Sequence, residues 1–385
     1  MSTVSAPTNS STFSAGVASA DLDMILNQTS TEVWEHLRGK RIFITGGTGF
    51  MGCWLLEGFL WANQVAALNL TVHVLSRNPD AFRMKAPHLA SHPDVTLIKG
   101  NVTDLQFIQQ EFDIVLHAAT DVATPDTDAI TNFDHIVLGA KETLALATRC
   151  KAAIYLLVSS GAVYGQQPAS LSHIPENYQG APDTLDSKSA YGQAKRVAEW
   201  MTNCHAAGHP SLQVKIARCF ALLGPYLPLN AHFAAGNFIR DALHKQTIQV
   251  KGDGTPYRSY LYAADMVVWL LTIMVQGKDG QAYNLGSEQA VSIAGLADAI
   301  SRLITENMSV DLEKTAPAGA VAQRYIPSTE KARAELGLRE YTTLADAIKK
   351  TAEWAYPPCG GLLGNIPDHC SDPAGAACTP PETGA

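Results

Sequence analysis

Long apolar runs are missing from this chain of 385 residues. Nothing approaches the ~20 apolar residues that a membrane-spanning helix requires, so no membrane partner is expected. Basic clusters are missing too. Lys+Arg 28 against Asp+Glu 36 leaves a net charge of −8, and no window gathers lysine and arginine. That pattern argues against a nucleic-acid surface or an anionic-membrane patch. The seven cysteines stand at 53, 150, 204, 219, 359, 370 and 378, with no CxxC pair and no spacing that suits zinc. No metal is expected, and a reducing, cytoplasmic setting fits. The first 20 residues have neither the basic start nor the apolar core of a secretory signal. Rich in Ser, Thr and Ala, residues 1–39 are expected to be a mostly disordered tail with one short helix. The Pro/Gly/Cys-rich stretch 357–385 likewise has little to fold around.

From Lys40 onward, short β-rich apolar runs alternate with longer segments of helical period, the signature of βαβ units. The runs RIFIT, VHVLS (72–76), TLIKG (96–100), IVLHAA (114–119), IYLLVSS (154–160) and VKIARC (214–219) are almost wholly apolar. Strands buried on both faces have that composition. Between them, WLLEGFLWANQVA and GAKETLALATRC carry amphipathic helical spacing. The pattern predicts an α/β fold: a doubly wound parallel sheet of Rossmann type over 40–219, with a smaller C-terminal α/β substrate lobe over 220–355. The lobe is expected where Gly, Pro and Asn become frequent after Phe220, with some segments returning to the sheet. With 46% hydrophobic residues the chain can bury such cores.

The stretch TGGTGFMG, Thr45 to Gly52, follows the first strand and opens a helix. In that context Gly46, Gly49 and Gly52 read as a dinucleotide cradle: one glycine for the tight turn, one for close approach to pyrophosphate, one for helix–strand packing. The helix N-terminus adds free N–H groups. Further on come SSGAVYG (159–165) and YGQAK (191–195). Four residues separate Tyr191 from Lys195, so a helix puts both on one face. The Lys195 ammonium, together with a positive nicotinamide, should lower the Tyr191 pKa from about 10 toward neutrality and make a phenolate base available. Ser160, at a strand end, can hold the oxygen that Tyr191 deprotonates.

These motifs resemble the extended branch of the short-chain dehydrogenase/reductase superfamily, in particular its NAD-dependent epimerase/dehydratase family of nucleotide-sugar-modifying enzymes. The resemblance covers about residues 40 to 350. It implies Ser160, Tyr191 and Lys195 as the catalytic set. It implies cofactor contacts from Gly46, Gly49, Phe50, Met51, Gly52, Ser76, Arg77, Asn101, Val102, Ala118, Ala119 and Lys195. Thr120, Asn237, Phe238 and Arg258 would contact the substrate, with the Arg258 guanidinium as a natural fork for diphosphate oxygens. The long loop 166–189 would roof the sugar pocket. NAD is the implied cofactor, with NADP possible because Arg77 stands where an acid for the ribose hydroxyl is usual. A homodimer through two packed helices is also implied.

Departures narrow the reaction. Gly161 and Ala162 occupy the places where relatives that dehydrate a hexose carry an Asp-Glu pair. Ala221 replaces an expected Asn, Ile136 stands where a helix-borne Asn is usual, and Arg324 is the remnant of an Arg/Asp-rich nucleotide-binding run. An epimerase is the expected activity, with a 4,6-dehydratase, a uronate decarboxylase or a stand-alone NADPH-dependent reductase as alternatives and a non-catalytic dinucleotide-binding regulator as the last of them. His117 and Cys219 read as packed structural residues.

Overall fold

The computed structural model describes residues 13–120, 128–231, 233–305, 308–317, 319 and 321–356. Its main sheet is built from β1 (Arg41–Thr45), β2 (Thr71–Ser76), β3 (Val95–Lys99), β4 (Ile114–His117), β5 (Ile154–Ser160), β6 (Gln213–Cys219) and a later strand, Gln281–Leu285. Four short strands precede that last one: β7 (Leu222–Leu223), β8 (Ile248–Val250), β9 (Tyr257–Arg258) and β10 (Leu261–Tyr262). It is therefore β11, and β12 (Val291–Ser292), β13 (Val310–Leu312) and β14 (Arg324–Tyr325) follow. The sheet order is β11-β6-β5-β4-β1-β2-β3, every pair parallel. Chain order reverses between β1 and β4, and in open parallel sheets ligands bind beyond the carboxyl ends at such a switch. The predicted doubly wound sheet is what forms.

The helices are α1 (Ser19–Gln28), α2 (Thr31–Leu37), α3 (Phe50–Ala66), α4 (Pro79–Lys85), α5 (Pro87–Ala90), α6 (Ala129–Arg149), α7 (Ala190–Gly208), α8 (Ala234–Leu243), α9 (Ala263–Gln276), α10 (Ile293–Ile304), α11 (Glu330–Leu336) and α12 (Leu344–Ala355). Successive strand residues point to opposite faces of a sheet. Accordingly Ile42, Ile44, Ile154 and Leu156 join the core shared with α3 and α9, whereas Phe43, Val115, Tyr155 and Leu157 join the core under α6 and α7. Both faces are covered, which is why the strands read as nearly continuous apolar runs.

The amino-terminal segment departs from expectation. Instead of a mostly disordered stretch with one short helix, residues 19–37 form α1 and α2, which pack on α9 and α3. Leu22, Ile25, Val33 and Leu37 are at most 1% exposed, and burying such a side chain contributes about 1.5–3 kcal/mol. Asp21, itself buried, accepts the Tyr262 hydroxyl at 2.7 Å and pairs with Lys350. A sparse apolar stripe thus suffices where a buried carboxylate has two partners. The expectation for 357–385 lies outside the described residues.

After Phe220 the chain divides its work. β11 extends the main sheet beside β6 and α9 packs beneath it. The rest builds a lobe with a small sheet, β12-β9-β14, in which Arg258 and Tyr325 are register partners on parallel strands.

Candidate active site

The cradle forms where β1 meets α3. Gly46 has φ +76°, a left-handed conformation that favours glycine, and a Cβ there would sit 2.7 Å from the Ala118 carbonyl. A Cβ on Gly52 would come within 2.3 Å of Gly47 Cα. The helix N-cap is Gly49, with no side chain bonded to the first-turn N–H groups. A bare glycine surface and uncapped N–H groups at the start of a 17-residue helix are what a dinucleotide pyrophosphate needs, so the residues fit the cofactor. Phe50 and Met51 are half-buried on the first turn. Buried Ser76 accepts the Asn78 N–H at 3.2 Å, and Arg77 is exposed at the end of β2. Asn101 and Val102 follow β3, while Ala118 and Ala119 follow β4. All these positions lie along the carboxyl edge of the sheet. Beside them His117 is buried and neutral, burial holding its pKa at about 3. Its Nδ1 faces the Thr45 hydroxyl at 2.7 Å, and that hydroxyl oxygen accepts the Ala119 N–H. The structural reading of His117 agrees with this.

Across the switch point, Ser160 ends β5. Its Oγ accepts the Ala162 N–H at 3.1 Å and so caps the 3₁₀ turn Gly161–Tyr164. α7 brings Tyr191 and Lys195 to the same edge. Gly192 lets the helix approach, since a Cβ there would meet the Ala162 carbonyl at 2.7 Å. Lys195 is 3% exposed; its Nζ lies 5.9 Å from the Tyr191 ring centroid and donates to Thr120 Oγ1 (2.7 Å) and the Val158 carbonyl (2.9 Å). Burial lowers its pKa to about 8. The Tyr191 phenol is pushed up to about 12 by burial, against the smaller effect of its hydrogen bond with Ser160. That sign is opposite to the expected lowering, which needed two positive charges. The chain supplies one, and its hydrogen bonds are directed to Thr120 and Val158.

A dinucleotide cradle faces Ser, Tyr and Lys across one sheet edge, and the model of the NAD dependent epimerase/dehydratase family matches residues 42–286. The chain belongs to that family. The family is NAD dependent, and the chain is an enzyme of the extended short-chain dehydrogenase/reductase type. Among curated relatives, UDP-glucuronic acid decarboxylase 5 of Arabidopsis thaliana is 29% identical over 315 residues, covering 80% of this chain and 87% of that one. Two solved structures show the same fold. UDP-glucose 4-epimerase of Thermotoga maritima has a TM-score of 0.68 at 20% identity, covering 82% of this chain and 98% of the other. dTDP-glucose 4,6-dehydratase of Bacillus anthracis has 0.69 at 19%, covering 82% and 96%.

The substrate residues read from the family pattern are less concentrated. Arg258, on β9, lines a cavity of about 400 Å³ with Gly165, Gln166, Gln323, Arg324 and Tyr325. Thr120 is engaged by Lys195. Asn237 Oδ1 accepts from Arg240 at 3.2 Å, and the Phe238 ring is buried in the main core at 3% exposure. Loop 166–189 is tied to the lobe: Ile174 exchanges backbone hydrogen bonds with Ile326 and Ser328 at 2.9 Å. Gly165 and Gln166 at its start face the cavity.

Sequence reasoning misses two features. Tyr325, 165 residues from Ser160, places its hydroxyl 3.4 Å from Ser160 Oγ. Glu199 accepts the Ser159 hydroxyl and holds Arg218 through a 2.7 Å ion pair, bracing β5 against α7 and β6. No periodicity signals Tyr325, since its strand is two residues long. Buried Cys219 has its thiol pushed up to about 12 by burial, in keeping with a packed, unreactive residue. Among the described residues no group of three metal-ligating side chains occurs, and no helix is long and apolar enough to cross a membrane.

Proposed function

We propose that this enzyme acts on a nucleotide sugar, oxidising a ring hydroxyl, most simply at C4, and returning the hydride to give the epimer. Tyr191 as phenolate takes the hydroxyl proton, Ser160 holds the oxygen, and Lys195 holds the phenolate charge and the nicotinamide ribose. Bound NAD supplies the hydride acceptor and donor. Arg258 grips the diphosphate from the cavity wall. The observation that carries the choice of fate is at Gly161 and Ala162: the turn beside Ser160 offers neither an acid nor a base for removing water.

A decarboxylase is the second reading, and the curated relatives favour it. Oxidation of a uronate at C4 makes a β-keto acid, whose carboxylate leaves as carbon dioxide while the electron pair passes into an enolate; the enolate is protonated at C5, and hydride returned to the C4 ketone gives the pentose and closes the cycle. Bond cleavage needs no acidic side chain, so the absence of one at Gly161 and Ala162 does not count against this reading. Mass spectrometry of products from UDP-glucose and UDP-glucuronic acid, without added reduced cofactor, separates the readings. Unchanged mass with a shifted retention time supports the epimerase, loss of carbon dioxide the decarboxylase, and loss of water contradicts both.

NADP is the alternative that Arg77 would serve, and titration with both dinucleotides measures the preference. A cytoplasmic homodimer is part of the same proposal. Its support is the scattered free thiols and the exposed Ile130, Leu138 and Trp200 on α6 and α7. A monomeric mass in light scattering would remove the dimer.

A further inference from the structure

Beyond Ser160 the site continues into a second hydroxyl that the family pattern does not assign. Tyr325 comes from β14 in the carboxy-terminal lobe, and its phenol oxygen stands 3.4 Å from Ser160 Oγ. Its ring lies 4.6 Å from that of Phe220, and the Arg258 guanidinium sits 5.8 Å from its centroid. Position 161 is shaped around it. A Cβ on Gly161 would stand 2.7 Å from the Tyr325 oxygen and 2.5 Å from the Phe220 ring, so any larger residue there pushes on both the phenol and the ring it packs against. The turn therefore lacks a side chain next to Ser160 and holds a phenol, delivered from the lobe, in that space.

We propose that Tyr325 is a catalytic residue, the second hydroxyl donor to the sugar oxygen that Tyr191 deprotonates, so that Ser160 and Tyr325 together form an oxyanion hole. This rests on the reading that a ring hydroxyl is oxidised. In the oxidation the hydroxyl proton goes to the Tyr191 phenolate and the hydride to the nicotinamide, and Tyr325 keeps its own proton. When hydride returns, or when a carboxylate leaves, negative charge develops on the same oxygen and both donors shorten to it. Burial holds the Tyr325 phenol above its ordinary pKa, so it is a donor throughout the neutral range. Because Arg258 and Tyr325 are register partners on β9 and β14, the side chain that grips the diphosphate and the one that meets the ring oxygen are carried on one small sheet.

The test uses Tyr325→Phe, which keeps the ring and its packing on Phe220. The readouts are steady-state turnover and the transient reduction of bound NAD on mixing with UDP-glucose or UDP-glucuronic acid. Loss of one preorganised donor to a developing oxyanion costs about 10²–10³ in kcat. Tyr325→Phe is therefore expected to lose about 10²-fold in kcat, with KM within about threefold and the melting temperature and NAD affinity unchanged. Retention of kcat within about twofold, while the wild type turns over, overturns the proposal and leaves the oxidation reading standing. A wild type that reduces no NAD with either sugar overturns that reading, and the proposal with it. Gly161→Ala provides the second arm. Pushing the phenol aside should lower kcat in the wild-type background and cost little more in the Tyr325→Phe background, whereas fully additive losses contradict the coupling.

Discussion

The two halves of the site are assembled in different ways. The cofactor half is made by chain neighbours: β1, the glycine turn and α3 run without interruption, and Ala118 closes on Gly46 from the adjacent strand. The substrate half gathers Ser160, Phe220, Arg258 and Tyr325 from four separate stretches, joined by two-residue strands. The glycine cradle is thus set mainly by one contiguous segment of β1, turn and α3. The substrate half depends on how the lobe sits on the sheet edge.

Substitutions can break that contrast. Tyr191→Phe should have the largest effect, a loss of about 10²- to 10⁴-fold in kcat, typical of removing a general base. NAD should still bind in equilibrium titration, since the cradle is untouched. Gly52→Ala should do the reverse. With backbone atoms 2.3–2.4 Å from the new Cβ, it should cost about 1–3 kcal/mol or more in unfolding free energy and weaken NAD binding over tenfold by calorimetry.

A third substitution lies outside both halves. Leu22→Ala, in α1, should lower unfolding free energy by about 2–5 kcal/mol in denaturant titrations, yet leave kcat of the folded enzyme unchanged. An equal loss of activity would show that the amino-terminal helices shape the site. The smallest effect concerns Lys195. Burial holds its pKa near 8, against about 10.4 in an unfolded chain. The penalty for burying the ammonium is fully present below pH 8 and is relieved as pH rises toward 10.4, because the unfolded chain binds the extra proton in that window. Cofactor-free wild type should therefore gain stability relative to Lys195→Met between pH 8 and 10. A constant difference across that range would place the lysine pKa elsewhere.

Much of the cofactor half is legible in the sequence, because its chemistry depends on spacing: three glycines between an apolar run and a helix, and Tyr191 four residues before Lys195. The six apolar runs become strands for the same reason. β11 is not legible. QAYNL carries a buried asparagine, and Asn284 is tolerable only because its amide donates to the Ile174 and Ser328 carbonyls and accepts the Tyr164 hydroxyl. Such partners are distant in sequence. The two amino-terminal helices are hidden by polar composition, since a stripe of four apolar residues needs α9 to give it meaning. Tyr325 is the clearest case: its role lies in a 3.4 Å approach that no local pattern records.

The most direct test of the central claim is stopped-flow fluorescence of bound nicotinamide after mixing NAD-loaded enzyme with UDP-glucose and UDP-glucuronic acid. Hydride that leaves the sugar and returns predicts, with at least one of them, a rise in reduced cofactor followed by decay, with no net NADH at the end of turnover. Stoichiometric accumulation of NADH with an oxidised sugar, or silence until NADPH is supplied, would contradict it.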